Sequence, residues 1–266
     1  MSRMKNLSKT LLIVLISFGV YFALDELYFK DLRTWLTELI NQAGISHIIT
    51  YAISGIPLYI GTLLLARNSS LVEDLGLNRS IIKGFLFALI CTSPMFIGFG
   101  FVFDFNFDIS INTILISVLA AGFFEELFFR GFLFGLVFKK TNLGFIPSVL
   151  FGALFFGILH LHQSSEIGEL VGIFLITFLG GILFAWLYAE WNYNIWMPIF
   201  LHMLMNLSWE LFSVSDNALG GIYSNVFRVL CIALVIALTV IYKKKKGLKL
   251  EINRSTVWMK RSLKSA

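Results

Sequence analysis

Gly122-Phe-Phe-Glu-Glu-Leu-Phe-Phe-Arg-Gly131 sets two acids and a base in a run otherwise fit for lipid. A charge at the centre of a membrane helix costs roughly 2.5 to 3.5 kcal/mol on insertion scales, so Glu125, Glu126 and Arg130 must face protein or water. On an α-helix Glu126 and Arg130 share one face at i, i+4, while Glu125 points about 100° away from Glu126. That spacing predicts a structural Glu126/Arg130 pair and leaves Glu125 without a local counter-ion, suited to exchanging protons. The same three residues taken alone could equally serve to lock helices together.

Outward from this stretch the chain stays apolar. Of its 266 residues 58% are hydrophobic and 14% charged, with a mean hydropathy of +0.83, which excludes an ordinary soluble domain and points to an all-α, polytopic membrane helix bundle. No composition break divides it, so residues 1–246 read as one integral membrane domain, followed by a basic tail over 247–266. The net charge of +5 comes mainly from the two ends and short loops, where topology signals lie, and this argues against nucleic acid as a partner. Cys91 and Cys231 fall inside apolar segments with no disulfide or metal-ligand spacing and read as small core residues.

Arg3, Lys5 and Lys9 precede the apolar run Leu11 to Leu24, read here as an uncleaved anchor. Leu32, Trp35, Leu36, Leu39 and Ile40 then share a face, which predicts a separate helix lying on the membrane surface between Asp31 and Gln42. Further spans are expected from His47 to Leu65, Ile81 to Phe103, Leu143 to Leu161, Ile167 to Glu190, Ile195 to Phe212 and Ile222 to Tyr242. Between them a helix from Ile109 to Phe138, at about 45 Å, carries the acids. The total is about eight crossings. An even count puts both termini on one side, and Arg67, Arg79, Lys83, Lys139, Lys140 and Lys243 to Lys246 make that side cytoplasmic; only Lys30 and Arg33 break the pattern. The expected location is therefore the cell membrane, multi-pass, with cytoplasmic termini. The tail rests on anionic lipid or is solvated and disordered.

Few other polar groups interrupt the spans: His160, His162, His202 and Asn206. Counted from the cytoplasmic helix ends, Glu125 lies about 21 Å deep, His160 about 22 Å, Asn206 about 16 Å and His202 about 10 Å. Three helices thus bring polar groups to the inner layers of the bilayer, where they solvate one another around a wet cavity. His202 and Asn206, at i, i+4, offer an imidazole and an amide donor to one point, as a developing oxyanion requires, while Glu125 with His160 can accept a proton from water. That is a set for hydrolysing a carbonyl compound. Glu125, His160 and His202 also match a catalytic zinc donor set. The chain lacks a His-Glu-x-x-His helix and Asn is a poor zinc ligand, so a metal-free site is the preferred reading. His162 faces elsewhere and reads as interfacial.

Glu125-Glu126-x-x-x-Arg130, Phe156-x-x-x-His160 and His202-x-x-x-Asn206, in this order on separate spans, resemble the CAAX protease and bacteriocin-processing (Abi) family. The likeness covers roughly residues 74–212, a protease-like core, and includes Glu73-Asp-Leu-Gly-Leu77. The resemblance implies an eight-helix intramembrane endopeptidase similar to the Ras-converting CAAX endopeptidase. By it, Glu125 and His160 activate water, His202 and Asn206 hold the oxyanion, and Glu126 and Arg130 support them. It implies a peptide or membrane-protein substrate, of CAAX type or in bacterial peptide maturation and bacteriocin self-immunity. Members are commonly labelled metalloproteases, and the resemblance leaves both the metal and the oligomeric state open. Two other readings are a non-catalytic scaffold regulating membrane partners and a transporter or proton relay, for which no inverted repeat is evident.

Overall fold

A computed structural model describes residues 2–66 and 68–260, with side chains from Leu7 onward. Arg67, residues 261–266 and the side chains of Arg3 and Lys5 lie outside the described part. Among the described residues the chain is all-α: α1 Ser2–Ile40, α2 Ala43–Ser54, α3 Ile56–Leu65, the single turn α4 Leu71–Asp74, α5 Ile81–Val102, α6 Ile111–Lys140, α7 Phe145–Leu159, α8 Ile167–Glu190, α9 Trp196–Leu211 and α10 Ile222–Lys245.

Among the described residues seven helical segments are long and apolar enough to cross a bilayer: α1 from Leu7, α2 and α3 together, α5, α6, α7 through Gln163, α8 and α10. The eighth expected span is the 16-residue α9, at about 24 Å too short for a hydrocarbon core of about 30 Å. It is sheltered against α5 and α6. The bundle is apolar outside as well as inside, with Ile82, Ile97 and Phe101 on its surface, as lipid requires.

Two expectations about helices are corrected. The N-terminal anchor and the surface helix are one continuous helix of 39 residues. Nothing stops it, because residues 24–40 contain neither Gly nor Pro and the polar Asp25 and Glu26 are compatible with a helix. The acid-bearing helix α6 is not a plain α-helix: from Ile114 to Phe134 it is wound in the wide i→i+5 register, which closes where the Gly135 N–H donates to the Arg130 carbonyl. Such winding is rare, is met mostly as single turns, and recurs at functional sites.

The tail expectation also changes. The main chain of residues 247–260 is ordered and folds back on the bundle, while the side chains of Leu248, Trp258 and Met259 stay exposed. The N–H groups of Gly144, Phe145 and Ile146 donate to the carbonyls of Trp258, Thr256 and Val257 at 2.8, 2.8 and 2.9 Å, and so the first turn of α7, which has no side-chain cap, is capped by the tail. Gly144 permits this, since a Cβ there would stand 2.4 Å from the Trp258 carbonyl carbon. Buried Glu190 accepts from the Lys243 ammonium and from the N–H groups of Glu251 and Ile252. Cys91 and Cys231 are free and buried, both in the core shared by α5, α8, α9 and α10.

Candidate active site

Glu126 and Arg130 form the ion pair that their spacing predicts. Arg130 Nη1 donates to Glu126 Oε1 at 3.0 Å, with side chains 2% and 0% exposed. The guanidinium carbon also stands 4.3 Å from the centre of the Phe156 ring and 5.5 Å from that of Phe184, so α7 and α8 supply aromatic faces to a cation that α6 cannot solvate.

Glu126 has a second partner that sequence reasoning missed. His202 Nδ1 lies 2.8 Å from the same Oε1. A carboxylate only accepts, so Nδ1 carries the proton, which turns Nε2 toward Glu125, whose Oε2 is 4.0 Å away. Glu126 is thus both counter-ion to Arg130 and the orienting group of His202. The signal was cryptic because the contact joins α6 to α9 across 76 residues of sequence.

Glu125 behaves differently from its neighbour. Its side chain keeps 21% exposure, and Oε2 is buried with no hydrogen-bond partner. His160 closes α7, where its Nδ1 is 2.7 Å from the Phe156 carbonyl; the carbonyl accepts, so Nε2 is the unprotonated nitrogen in the neutral ring. The ring lies within electrostatic reach of both Glu125 and His202. Asn206, one turn beyond His202, donates one amide hydrogen to the Ser117 carbonyl at 2.8 Å, leaving the other for a ligand. The expected pair of free donors therefore takes a different form: one nitrogen of His202 and one hydrogen of Asn206 already serve to position them. His162 is exposed on the turn after α7, its Nδ1 2.7 Å from the Leu159 carbonyl.

These contacts depend on how closely α9 approaches α6. A Cβ at Gly122 would meet Met203 Cγ at 2.5 Å and the Met203 backbone at 3.0 and 3.1 Å. Gly122 opens the quoted motif, and its missing side chain is what lets His202 reach Glu126.

Among the described residues no three His, Cys, Asp or Glu side chains are grouped so as to hold a metal ion. In both histidines Nδ1 is the engaged nitrogen, held by the Phe156 carbonyl in His160 and by Glu126 in His202, which leaves Nε2 of each free.

The family model for type II CAAX prenyl endopeptidase Rce1-like proteins matches residues 107–208. A protein of Bacillus subtilis (strain 168), under the provisional name membrane peptidase YdiL, is 37% identical over 93 residues, 35% of this chain and 34% of its own length. CAAX prenyl protease 2 of Methanococcus maripaludis is 27% identical over 159 residues, 55% of this chain and 56% of its own. The chain thus spans about a third of the first relative and just over half of the second. No solved structure gives a significant match. Ser117, Glu125, Glu126, Arg130, His160, His202 and Asn206 all lie inside the matched segment, and that segment is similar to type II CAAX prenyl endopeptidase Rce1-like proteins.

Proposed function

We propose that the chain is an intramembrane endopeptidase that hydrolyses a peptide bond in a membrane-associated peptide or protein by glutamate-activated water. The observation that carries the proposal is the facing of Glu125 Oε2 and His202 Nε2 at 4.0 Å, with His202 held from behind by Glu126. The substrate class is a peptide segment presented at the bilayer, of CAAX type or in bacterial peptide maturation and self-immunity.

In this reading Glu125 takes one proton from a water molecule, with His160 Nε2 as a second acceptor, and the resulting hydroxide adds to the scissile carbonyl carbon. The carbonyl oxygen becomes an oxyanion, met by the remaining amide hydrogen of Asn206 and by Nε2–H of His202 in its protonated form. When the C–N bond breaks, the proton held by Glu125 passes to the departing amine. Glu126 and Arg130 touch no reacting atom; they position His202. The protein lies in the cell membrane, and the placement of its basic residues puts both termini in the cytoplasm, which requires the short α9, sheltered by α5 and α6, to complete an eighth crossing.

Cleavage of a quenched fluorescent peptide library by wild type and Glu125→Gln protein, in detergent with and without chelator, tests this. Activity in the wild type, loss in the variant and indifference to chelator are expected. Equal signals from both proteins would leave the Glu126-centred network as the core of a non-catalytic scaffold.

A further inference from the structure

A cleft of about 410 Å³ opens away from the active site, sharing no residue with it, between α1, the connection from α3 to α4 and the last turn of α6. Lys9, Thr10, Leu64, Leu65, Ser69 and Lys140 line it. Its level in the membrane follows from the spans: Lys9 lies just inside the start of the first at Leu7, while Leu65 and Lys140 end the second and the fourth. The cleft therefore sits where hydrocarbon gives way to headgroups.

Its walls are divided by chemistry. Leu65 is buried while Leu64 is 60% exposed, so one wall is an apolar strip continuous with the outer surface of the bundle. The rim is basic. Lys140 Nζ is fixed 2.8 Å from Asp74 Oδ2, which also accepts from Ser69 Oγ at 2.9 Å. Lys139 turns its ammonium to the Asp74 carbonyl. Lys9 is exposed and makes no hydrogen bond or ion pair among the described contacts. Of the two ammonium groups that line the cleft, Lys140 is matched by Asp74 and Lys9 is not, so the unmatched positive charge is that of Lys9.

We propose that this cleft binds an anionic phospholipid of the surrounding leaflet. The phosphate lies between Lys9 and Lys140, and an acyl chain runs along Leu64. Charge complementarity selects the headgroup, and the strip leading into lipid selects a lipid over a soluble anion.

The test uses the full chain in neutral detergent, titrated with phosphatidylglycerol, phosphatidylcholine or inorganic phosphate, with adducts counted by native mass spectrometry and thermal stability read in parallel. Saturable phosphatidylglycerol binding that raises the melting temperature is expected, with neither effect from phosphatidylcholine or inorganic phosphate. Lys9→Gln should weaken phosphatidylglycerol about fivefold, the effect of one basic residue near an anionic surface, and Lys9→Glu should weaken it more. Because Lys9 has no partner to strand, these variants fold; higher salt should weaken binding to the wild type in the same direction. Equal binding of both lipids, binding unchanged by Lys9→Gln, or displacement of phosphatidylglycerol by inorganic phosphate would each overturn the proposal.

Discussion

Arg130 is the residue on which three others depend, because removing it leaves Glu126 buried beside His202 and leaves the faces of Phe156 and Phe184 without their cation. Arg130→Ala should cost roughly 3 to 5 kcal/mol, seen as a large fall in melting temperature and yield in detergent. Normal thermal stability would remove it from this role. Asn206→Ala should spare the fold and slow peptide turnover by roughly 100-fold if its free amide hydrogen meets the oxyanion; undiminished turnover would dismiss it from the mechanism. At this scale much could be read from sequence. The spacing of Glu126 and Arg130 is local, and helical periodicity settles it. The bond from Glu126 to His202 is not local, and no periodicity announces which nitrogen of a histidine faces which carboxylate 76 residues earlier.

Helix α6 owes its usefulness to a glycine and to its winding. Gly122→Ala places a methyl group against the Met203 backbone and should push α9 outward, costing about 1 to 3 kcal/mol and lengthening the contact between His202 and Glu126. Peptide turnover should fall by far more than stability. Gly180→Ala on α8, where nothing lies within 4 Å, is the control and should leave both unchanged. Loss of activity in both variants alike would show that close approach at Gly122 is not what matters. The positions of the apolar helices were legible because bilayer thickness imposes their length, but the wide register of α6 was not, since hydropathy carries no record of which carbonyl an N–H chooses. Likewise the end of α1 was misplaced at Leu24, because a switch from all-round apolar to one-sided apolar looks like a boundary although no residue there breaks a helix.

Across the whole molecule, the tail is the part least visible in the sequence. Its basic, polar composition signals solvent, whereas its main-chain groups, to which composition is blind, dock on α7 and on Glu190. Glu190→Gln weakens the partner of buried Lys243 and should release residues 247–260. Trypsin should then cut at Lys249 and Arg254 under conditions in which the wild type resists, as read by mass spectrometry of the fragments. Continued resistance would mean that the capping of α7 holds the tail by itself. The arrangement also bears on the order in which the protein is made. Residues 247–260 follow every helix among the described residues, so during synthesis α7 is inserted with its leading N–H groups uncapped, and Glu190 waits for its main-chain donors until the last of α10 has passed. The bundle that carries the acids is thereby completed by the segment translated after it, and a nascent chain stalled at Lys245 would hold every side chain of the site in a frame not yet closed.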